Sequence, residues 1–345
     1  MNGAGSVNDR DSSAAVALEV RQTGGMNDES ASVIPASGVQ HTITAGDYEA
    51  TIASVGATLR SLRYRGRDLV VPFEADIVRP FFRGATLAPW PNRIVDGRYT
   101  FRGRQYDVAL TEPGRGQALH GLASWLDFAP VETAESWVTL GATIQPQQGY
   151  PWRIRVETTF ALGADGLTQR VKATNLSRDF APWGTGPHPY LVAPGALDDW
   201  TFTLPAAQVL TVTPDRLSPV GLQPVTADAE RFDFRESRTI GTVMIDHAYT
   251  DLVRDRDGLV TTRVADAQGV GAAITWDSRC PWVQIHTADQ PAGPGAPGHR
   301  AGLAVEPMTC APDAFNDDSY PFDTGLGVIA PGDSHKASWR ISALS

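Results

Sequence analysis

Cysteine is scarce in this chain, and the segments that mark secreted or membrane proteins are missing. The 345 residues contain two cysteines, Cys280 and Cys310, and no Cys-x-x-Cys motif, too few for a disulfide framework. A bond between these two stays open, although a reducing cytoplasm is the simpler expectation. No apolar run approaches the roughly 18 residues of a membrane helix, and the N-terminus does not resemble a secretory signal. We therefore expect a cytoplasmic protein without membrane contact.

Positively charged residues are also fewer than negatively charged ones. Lys and Arg total 29 against 39 Asp and Glu, which gives a net charge of −10 and a pI of about 5.1. An acidic surface argues against nucleic acid or an anionic membrane as the main partner. The glycine-rich phosphate motifs of nucleotide enzymes and the Gly-x-Ser-x-Gly motif of serine hydrolases are absent, which disfavours both classes.

Helical periodicity is missing as well, whereas strand signals are frequent. Residues 42–55 alternate apolar and polar side chains around Gly46 and Asp47, and residues 99–106 read as a hairpin with Gly103 at its tip. Strands spaced by 8–12 residues are typical of an all-β sandwich or barrel. Further strands are predicted at 137–144, 152–161, 167–175, 200–204, 208–212, 258–266, 271–276, 282–287 and 334–341.

The composition shows one break, near residue 40. Residues 1–40 are rich in Ala, Ser, Gly, Asn and Asp and read as a mostly disordered leader, in which Met26 is a possible internal start. Residues 41–345 show no further break, so we predict one large domain there. Residues 73–94, rich in Pro and Arg, are expected to form a long functional loop, and residues 288–302 an exposed loop between two strands.

The segment around Glu306 is the first candidate for chemistry. Residues 303–305 form a short apolar run that predicts a buried strand, and Pro307 is expected to end its pairing because proline has no backbone donor. A carboxylate at the end of an apolar strand is costly unless it is paired, hydrated or used. On its own, such a glutamate more often simply meets water at a strand end.

Two of the seven histidines lie in unusual settings. His120 has apolar neighbours on its N-terminal side and Gly121 after it, and His188 lies between Pro187 and Pro189. The two prolines fix the backbone and prevent regular strand pairing, which suits a ring held in one direction. Histidine exchanges protons near neutrality because its ordinary pKa is about 6.5. Singly, each is more often a packed, hydrogen-bonded residue.

Three further clusters supply polar groups. Trp90, followed by Asn92 and Arg93, combines an aromatic face with a hydrogen-bonding fork, which is what a sugar needs, although Arg93 could equally be a structural ion-pair partner. Asp246 ends a short apolar run and, alone, reads as a turn residue. In the strand at 282–287, Gln284 and His286 share one face because side chains repeat every two residues.

A zinc site is the alternative use of these residues. His120, His188 and Glu306 could in principle form a triad of metal ligands. No His-x-His or His-x-x-x-His pair supports it, so we expect no metal.

The order of these motifs closely resembles that of the aldose 1-epimerase, or galactose mutarotase-like, family over residues 42–342. The matching segments are Asn-Arg-Ile at 92–94, Leu-His-Gly at 119–121, Gly-Pro-His-Pro-Tyr at 186–190, Asp-His at 246–247, Gln284, Glu-Pro at 306–307 and Pro-Asp-Ala-Phe-Asn at 312–316. The resemblance implies a large antiparallel β-sandwich that interconverts the α and β anomers of free sugars and needs no cofactor. The implied partner is a small-molecule sugar, and the chain is expected to be a monomer or homodimer.

The resemblance also implies roles. Glu306 would be the general base that takes the proton of the C1 hydroxyl, and His188 the general acid that protonates the ring oxygen. His120 would help to hold the ring oxygen and its neighbours. The implied sugar-binding residues are Asn92, Arg93, Asp246 and Gln284.

The run at 85–91 departs from the Gly-Arg-rich segment of the best-known galactose mutarotases, which leaves the sugar open. One alternative is a hexose 6-phosphate, which would need more basic groups, with Arg79 and Arg83 as candidates. Another is a sugar-binding domain without catalysis, because fold does not imply activity.

Overall fold

The computed structural model describes Met1 and residues 33–345, so most of the predicted leader lies outside the described residues. Within them, helices are few and short. The only α-helix there is α1 (Ala229–Phe232). Short 3-10 segments lie at Pro80–Phe82, Pro113–Arg115, Leu197–Asp199, Val225–Asp228, Gly293–Gly295 and Ala314–Ser319. No helix in this part of the chain combines the length and apolar character needed to cross a membrane.

Strands make up most of the ordered structure. The first half contains β1 (Gln40–Ala45), β2 (Tyr48–Ala53), β3 (Thr58–Tyr64), β4 (Arg67–Asp68), β5 (Thr86–Leu87), β6 (Arg93–Val95), β7 (Arg98–Phe101), β8 (Arg104–Asp107), β9 (Gln117–Leu119), β10 (Ala129–Thr133), β11 (Trp137–Ile144), β12 (Ile154–Gly163) and β13 (Gly166–Asn175). The second half contains β14 (Ala181–Trp183), β15 (Gly186–Pro187), β16 (Tyr190–Leu191), β17 (Thr201–Thr203), β18 (Ala206–Val212), β19 (Pro219–Pro224), β20 (Arg238–Thr239), β21 (Asp246–Leu252), β22 (Val260–Ala265), β23 (Gly271–Trp276), β24 (Trp282–His286), β25 (Leu303–Met308), β26 (Gly327–Ile329) and β27 (Ser334–Leu344).

Two large antiparallel sheets organise these strands. One has nine strands in the order β10-β11-β12-β13-β27-β23-β22-β17-β20, and the other has six in the order β16-β25-β24-β21-β18-β19. Strands β1 to β4 form a third sheet, and the remaining short strands pair in twos. The predicted all-β sandwich is therefore confirmed.

The alternation in sequence explains the layers. Along β12 every second residue from Ile154 to Leu162 is buried and those between are partly exposed, as expected when one face of a strand meets the core. Buried side chains of the nine-stranded sheet, such as Phe160 and Trp339, belong to the same apolar cluster as Ile285 and Val305 of the six-stranded sheet. The core thus continues from one sheet to the other.

The predicted strands mostly appear with shifted ends. Those at 137–144 and 271–276 are reproduced as predicted, and the predicted 334–341 extends to Leu344. Residues 73–94 do not form one loop, because they contain the 3-10 turn at Pro80–Phe82, strand β5 and the start of β6. The reason is that short two-residue and three-residue pairings carry no alternation that a sequence pattern can show.

Candidate active site

A small cavity of about 210 Å³ is lined by all seven residues to which the resemblance assigns a role. This volume suits a ligand smaller than the drug-sized molecules that occupy roughly 300–1,000 Å³. A larger groove of about 850 Å³ lies at residues 229–238, but Asp233 and Arg235 in it are paired with each other. The small cavity is lined by Phe81, Phe82, Asn92, Arg93, Leu119, His120, His188, Tyr190, Asp246, Gln284, His286 and Glu306.

Three neighbouring strands of the six-stranded sheet present one group of these side chains. Gln284 on β24 lies opposite Glu306 on β25, and Asp246 on β21 lies opposite His286 on β24. Register partners share a face of the sheet, and so do residues two apart on one strand. All four side chains therefore point into the same cavity, and Gln284 donates a hydrogen bond from Nε2 to Asp246 Oδ1 at 2.6 Å.

Two local predictions about these strands are wrong. Pro307 does not end the pairing, because β25 continues through it, opposite Val283, to Met308. On the other edge of β25 the ladder with β16 covers only Leu303 and Ala304. Pro307 lies beyond the end of that ladder, so the backbone N–H that it lacks is not needed there. Asp246 is not a turn residue but begins β21.

A second element, the β6–β9 pair, presents the next group. Arg93 lies opposite Leu119, which places Asn92 and His120 side by side at the end of the ladder. The His120 backbone N–H donates to Asn92 O at 2.7 Å, and the Asn92 N–H donates to His120 Nδ1 at 3.2 Å. Because Nδ1 accepts, the neutral imidazole carries its proton on Nε2. His120 is therefore held as a hydrogen-bond donor.

His188 completes the cavity from a third direction. It lies between β15 and β16, as its flanking prolines predict, and its carbonyl accepts a hydrogen bond from the Gly84 N–H at 2.7 Å. Its Nε2 is 3.4 Å from Glu306 Oε1. Its ring meets that of His120 edge-on, with centroids 5.0 Å apart. An imidazole and a carboxyl group are thus in contact inside the cavity.

Burial sets the protonation of the two histidines. Loss of solvation lowers the pKa of His188 to about 3, and the charge of His286 adds to this effect. Burial, followed by the charge of His188, holds the pKa of His120 well below its ordinary value. Both rings are therefore neutral at pH 7.

The two carboxyl groups differ, although both are buried. Burial raises the pKa of Glu306 well above its ordinary value, the charge of Asp246 raises it further, and Arg93 opposes both. Burial also acts to raise the pKa of Asp246, but the charges of His286 and Arg93 and the hydrogen bond from Gln284 outweigh it and leave this pKa lowered. The pKa values of the two carboxyl groups are thus shifted in opposite directions, upwards for Glu306 and downwards for Asp246.

Several polar atoms of the residues that line the cavity have no hydrogen-bond partner among the described residues. They are Glu306 Oε2, His188 Nδ1 and Gln284 Oε1, each fully buried. Buried polar atoms normally find a partner, so unpartnered ones need an explanation. All three belong to side chains that line the same cavity.

The aromatic wall of the cavity is not the predicted one. Trp90 is buried in the core, 3% exposed, where its Nε1 donates to Ala118 O at 3.2 Å. Phe82 takes its place, with its ring centroid 4.6 Å from that of His120 and 6.4 Å from that of His188. The hint in the sequence was the pair Phe81-Phe82 inside the segment expected to be functional.

The loop that carries Phe82 is strained. Phe81 and Phe82 both have positive φ angles, 48° and 55°, which cost on the order of 1–2 kcal/mol for an L-residue. Contacts hold the loop in place: the Phe82 ring lies 5.7 Å from that of Trp125, and the Arg79 guanidinium lies over Trp125 at 4.5 Å. Such strain is often retained where it positions a functional group.

The lining also includes Leu119, Tyr190 and His286, which stand in the motifs of the sequence analysis without an assigned role. Tyr190 stacks on His188 with centroids 5.2 Å apart, and His286 meets Tyr190 edge-on at 6.5 Å. His286 was expected on the same strand face as Gln284, whereas no sequence pattern indicated the direction of the Tyr190 side chain. Within the described part of the chain, no three His, Cys, Asp or Glu side chains are grouped so as to hold a metal ion.

Comparison with known proteins places the chain in a family. The sequence model of aldose 1-epimerases matches residues 39–342. The Escherichia coli protein YihR, which is uncharacterized, is 34% identical over 307 residues, 88% of this chain and 93% of YihR. The galactose mutarotase of Mus musculus is 26% identical over 317 residues, 82% of this chain and 87% of the mouse protein.

Solved structures share the fold. A GalM/aldose epimerase homologue from C. elegans superposes with a TM-score of 0.74 at 20% identity, covering 89% of this chain and all of the homologue. A galactose mutarotase-like protein from Clostridium acetobutylicum gives a TM-score of 0.74 at 18% identity over 88% of this chain and 94% of its own. The chain belongs to the aldose 1-epimerase family.

Proposed function

We propose that this protein interconverts the α and β anomers of a free aldose such as glucose or galactose. The observation that carries the proposal is the contact between His188 Nε2 and Glu306 Oε1, at 3.4 Å in a small buried cavity. Anomerisation needs one group that accepts a proton and one that donates a proton, and it needs no electron sink. Membership of the aldose 1-epimerase family supports the same reaction class.

The proposed steps balance in protons. Glu306 accepts the proton of the C1 hydroxyl while His188 donates one to the ring oxygen, so the C1–O5 bond breaks and a free aldehyde forms. Rotation about C1–C2 exposes the other face of the aldehyde. The reverse transfers then close the ring as the other anomer and return both groups to their starting states.

This cycle requires His188 and Glu306 together to carry one titratable proton. Burial favours that proton on Glu306, since the pKa of the carboxyl is raised and that of His188 is lowered. The proposed roles require it on His188, across the 3.4 Å contact. A bound sugar favours this transfer because its hydroxyls solvate the carboxylate, and the Arg93 cation acts in the same direction.

The remaining groups are proposed to bind the sugar. His120 donates from Nε2, the ionised Asp246 accepts from a hydroxyl, and Arg93 donates. Asn92 and Gln284 supply amide groups, and Gln284 Oε1 is one of the unpartnered buried atoms. Phe82 offers its ring to the C–H face of the pyranose.

The phosphate alternative is weakened by Arg79. Its Nη1 donates to Thr58 Oγ1 at 2.6 Å and its Nη2 to Ser124 O at 2.6 Å, and its pKa is lowered by burial to about 10. A guanidinium committed to interior acceptors is not available to a phosphate group. Arg83, beside Phe81 and Tyr190, is the remaining candidate, so we rank the free sugar first.

The test is polarimetry on fresh α-D-glucose, α-D-galactose and glucose 6-phosphate, with wild type and His188→Asn side by side. We expect wild type to accelerate mutarotation of a free sugar and the variant to lose about 10²–10⁴-fold, the usual contribution of a general acid. Acceleration of the phosphorylated sugar alone would favour the alternative. If wild type accelerates none of them, the proposed activity on these sugars is wrong.

A further inference from the structure

Glu112 lies just outside the cavity, on a turn that leads back into it. The 3-10 turn Pro113–Arg115 follows it, and Gly116 closes the turn with φ 64°. Glu112 and Gln117 then exchange backbone hydrogen bonds at 3.0 and 3.2 Å. Because Gln117 begins β9, which pairs with β6, this turn brings the Glu112 carboxylate onto the Arg93 side chain.

The contact between the two side chains is bidentate. Arg93 Nε donates to Glu112 Oε2 at 2.7 Å, and Nη2 donates to Oε1 at 3.1 Å. The pair is largely buried, with side-chain exposures of 10% for Arg93 and 22% for Glu112. A planar two-point contact fixes the orientation of a guanidinium as well as its position.

Arg93 lines the cavity, and one nitrogen of its guanidinium is not bound by Glu112. Glu112 occupies Nε and Nη2, and Nη1 has only a long contact of 3.4 Å with Asn92 Oδ1. The charge of Arg93 acts on both Asp246 and Glu306. Where this nitrogen points therefore affects a sugar hydroxyl and the two carboxyl groups together.

We infer that Glu112 is a positioning residue that aims Arg93 Nη1 at the sugar and offsets the positive charge that Arg93 places beside Glu306. The inference rests on the proposed function, in which Arg93 binds the sugar and Glu306 exchanges its proton. Glu112 itself lies outside the lining of the cavity and also accepts a hydrogen bond from Arg115 Nε at 3.1 Å, so its contact with the lining is through Arg93.

A purely structural ion pair and a positioning residue predict different results for Glu112→Gln. Both predict some loss of stability, because the buried Arg93 cation loses its partner. Only the positioning role predicts a changed pH profile. Without the Glu112 charge, Glu306 faces a stronger positive field, which favours its ionised form. The alkaline limb of kcat/KM should therefore move to lower pH.

The chain offers a matched control. Asp96 pairs with Arg216 at 2.6 Å, and Arg216 donates to the same turn at Arg115 O and Gly116 O. The Asp96 side chain is 59% exposed and does not line the cavity. Asp96→Asn makes the same carboxyl-to-amide change nearby, and we expect wild-type kinetics from it.

The experiment measures pH profiles of kcat and KM for wild type, Glu112→Gln, Glu112→Asp and Asp96→Asn, with melting curves for each. We expect kcat/KM to fall about 10- to 100-fold in Glu112→Gln, the scale of a misplaced binding group, with its alkaline limb shifted. Glu112→Asp should return the alkaline limb to its wild-type pH because it keeps the negative charge. A folded Glu112→Gln within twofold of wild type and with an unshifted limb overturns the inference. If Glu112→Gln does not fold, the KM of Glu112→Asp decides. The shorter aspartate side chain should raise the KM, and an unchanged KM overturns the inference.

Failure of the proposed function would be visible separately, as a wild type that accelerates no aldose. The inference would then be judged by calorimetric binding of glucose and galactose, or of whichever sugar binds in a wider screen. Weaker binding to Glu112→Gln than to Asp96→Asn supports a role in aiming Arg93, and equal binding refutes it.

Discussion

Replacing Glu306 with glutamine should lower the activity of the protein and raise its stability at pH 7. The side chain is 2% exposed, and glutamine has nearly the same shape, so the cavity keeps its form. Glutamine cannot accept a proton from the C1 hydroxyl. General-base catalysis contributes about 10²–10⁴-fold, which corresponds to about 2.7–5.4 kcal/mol of barrier. We expect kcat to fall by that factor while sugar binding persists.

The stability change has a sign that depends on pH. The pKa of Glu306 is raised in the folded protein, so the folded state binds more protons than the unfolded state once the pH exceeds the ordinary value of about 4.3. The free energy of unfolding of wild type therefore falls as the pH rises from there to the raised pKa. Glutamine does not titrate, so the variant should melt higher than wild type at pH 7 and similarly near pH 4.

Asp313→Asn is the matched comparison. Burial raises the pKa of this carboxyl too, but it accepts hydrogen bonds from the Val95 N–H at 2.8 Å and the Tyr320 hydroxyl at 2.6 Å. An amide cannot accept at both atoms, so this variant should lose about 1–3 kcal/mol. Opposite shifts in melting temperature for the two variants at pH 7 would support the reasoning.

The assays are polarimetry for turnover, calorimetry for sugar binding, and melting curves at pH 4 and 7. Turnover by Glu306→Gln within tenfold of wild type would remove Glu306 as the proposed base. A melting difference from wild type that is the same at both pH values would refute the argument that a buried carboxyl loses stability as it ionises.

Three further predictions concern the pH profile, the aromatic wall of the cavity and the core. kcat/KM should stay level as the pH rises through 6.5, because the pKa of His188 is lowered from that value to about 3 and the one-proton form of the pair persists until Glu306 ionises; a fall centred near 6.5 would contradict this. Phe82→Leu should raise KM with little effect on kcat, since it removes an aromatic face but no proton donor or acceptor; steady-state kinetics on glucose and galactose check it, and a selective loss of kcat would argue against the stacking role. Gln169→Leu should lower the free energy of unfolding by about 1–3 kcal/mol, because Gln169 Oε1 accepts from Trp339 Nε1 at 2.9 Å inside the core; denaturant melts check it, and unchanged stability would contradict it.

Part of the site was accessible from the sequence because its residues stand in short, ordered motifs. His188 lies between two prolines, and Glu306 follows an apolar run. Both signals are local and can be read from the sequence alone. The resemblance then supplied roles for them and for the sugar-binding set. The cavity brings these residues together, and their roles remain proposals until the variants are measured.

The errors have a common physical cause. Trp90 and Phe82 are both aromatic residues in one irregular segment, and no local pattern tells which of them faces the core. Pro307 remains in a strand because the partner on one side has already ended, which depends on β16. Glu112 was not singled out because its significance lies in Arg93, which is 19 positions away.

The sequence by itself determined the class of fold, since alternation of side chains along each strand is a local property with a period of two. It also determined which polar residues interrupt apolar runs. The order of strands β25, β24 and β21, which places Glu306, Gln284 and Asp246 around the cavity that His188 also lines, was decided by tertiary structure. These pairings join segments far apart in the chain. Burial acts on both carboxyl groups, and the neighbouring charges and the hydrogen bond from Gln284 are what separate the pKa of Asp246 from that of Glu306.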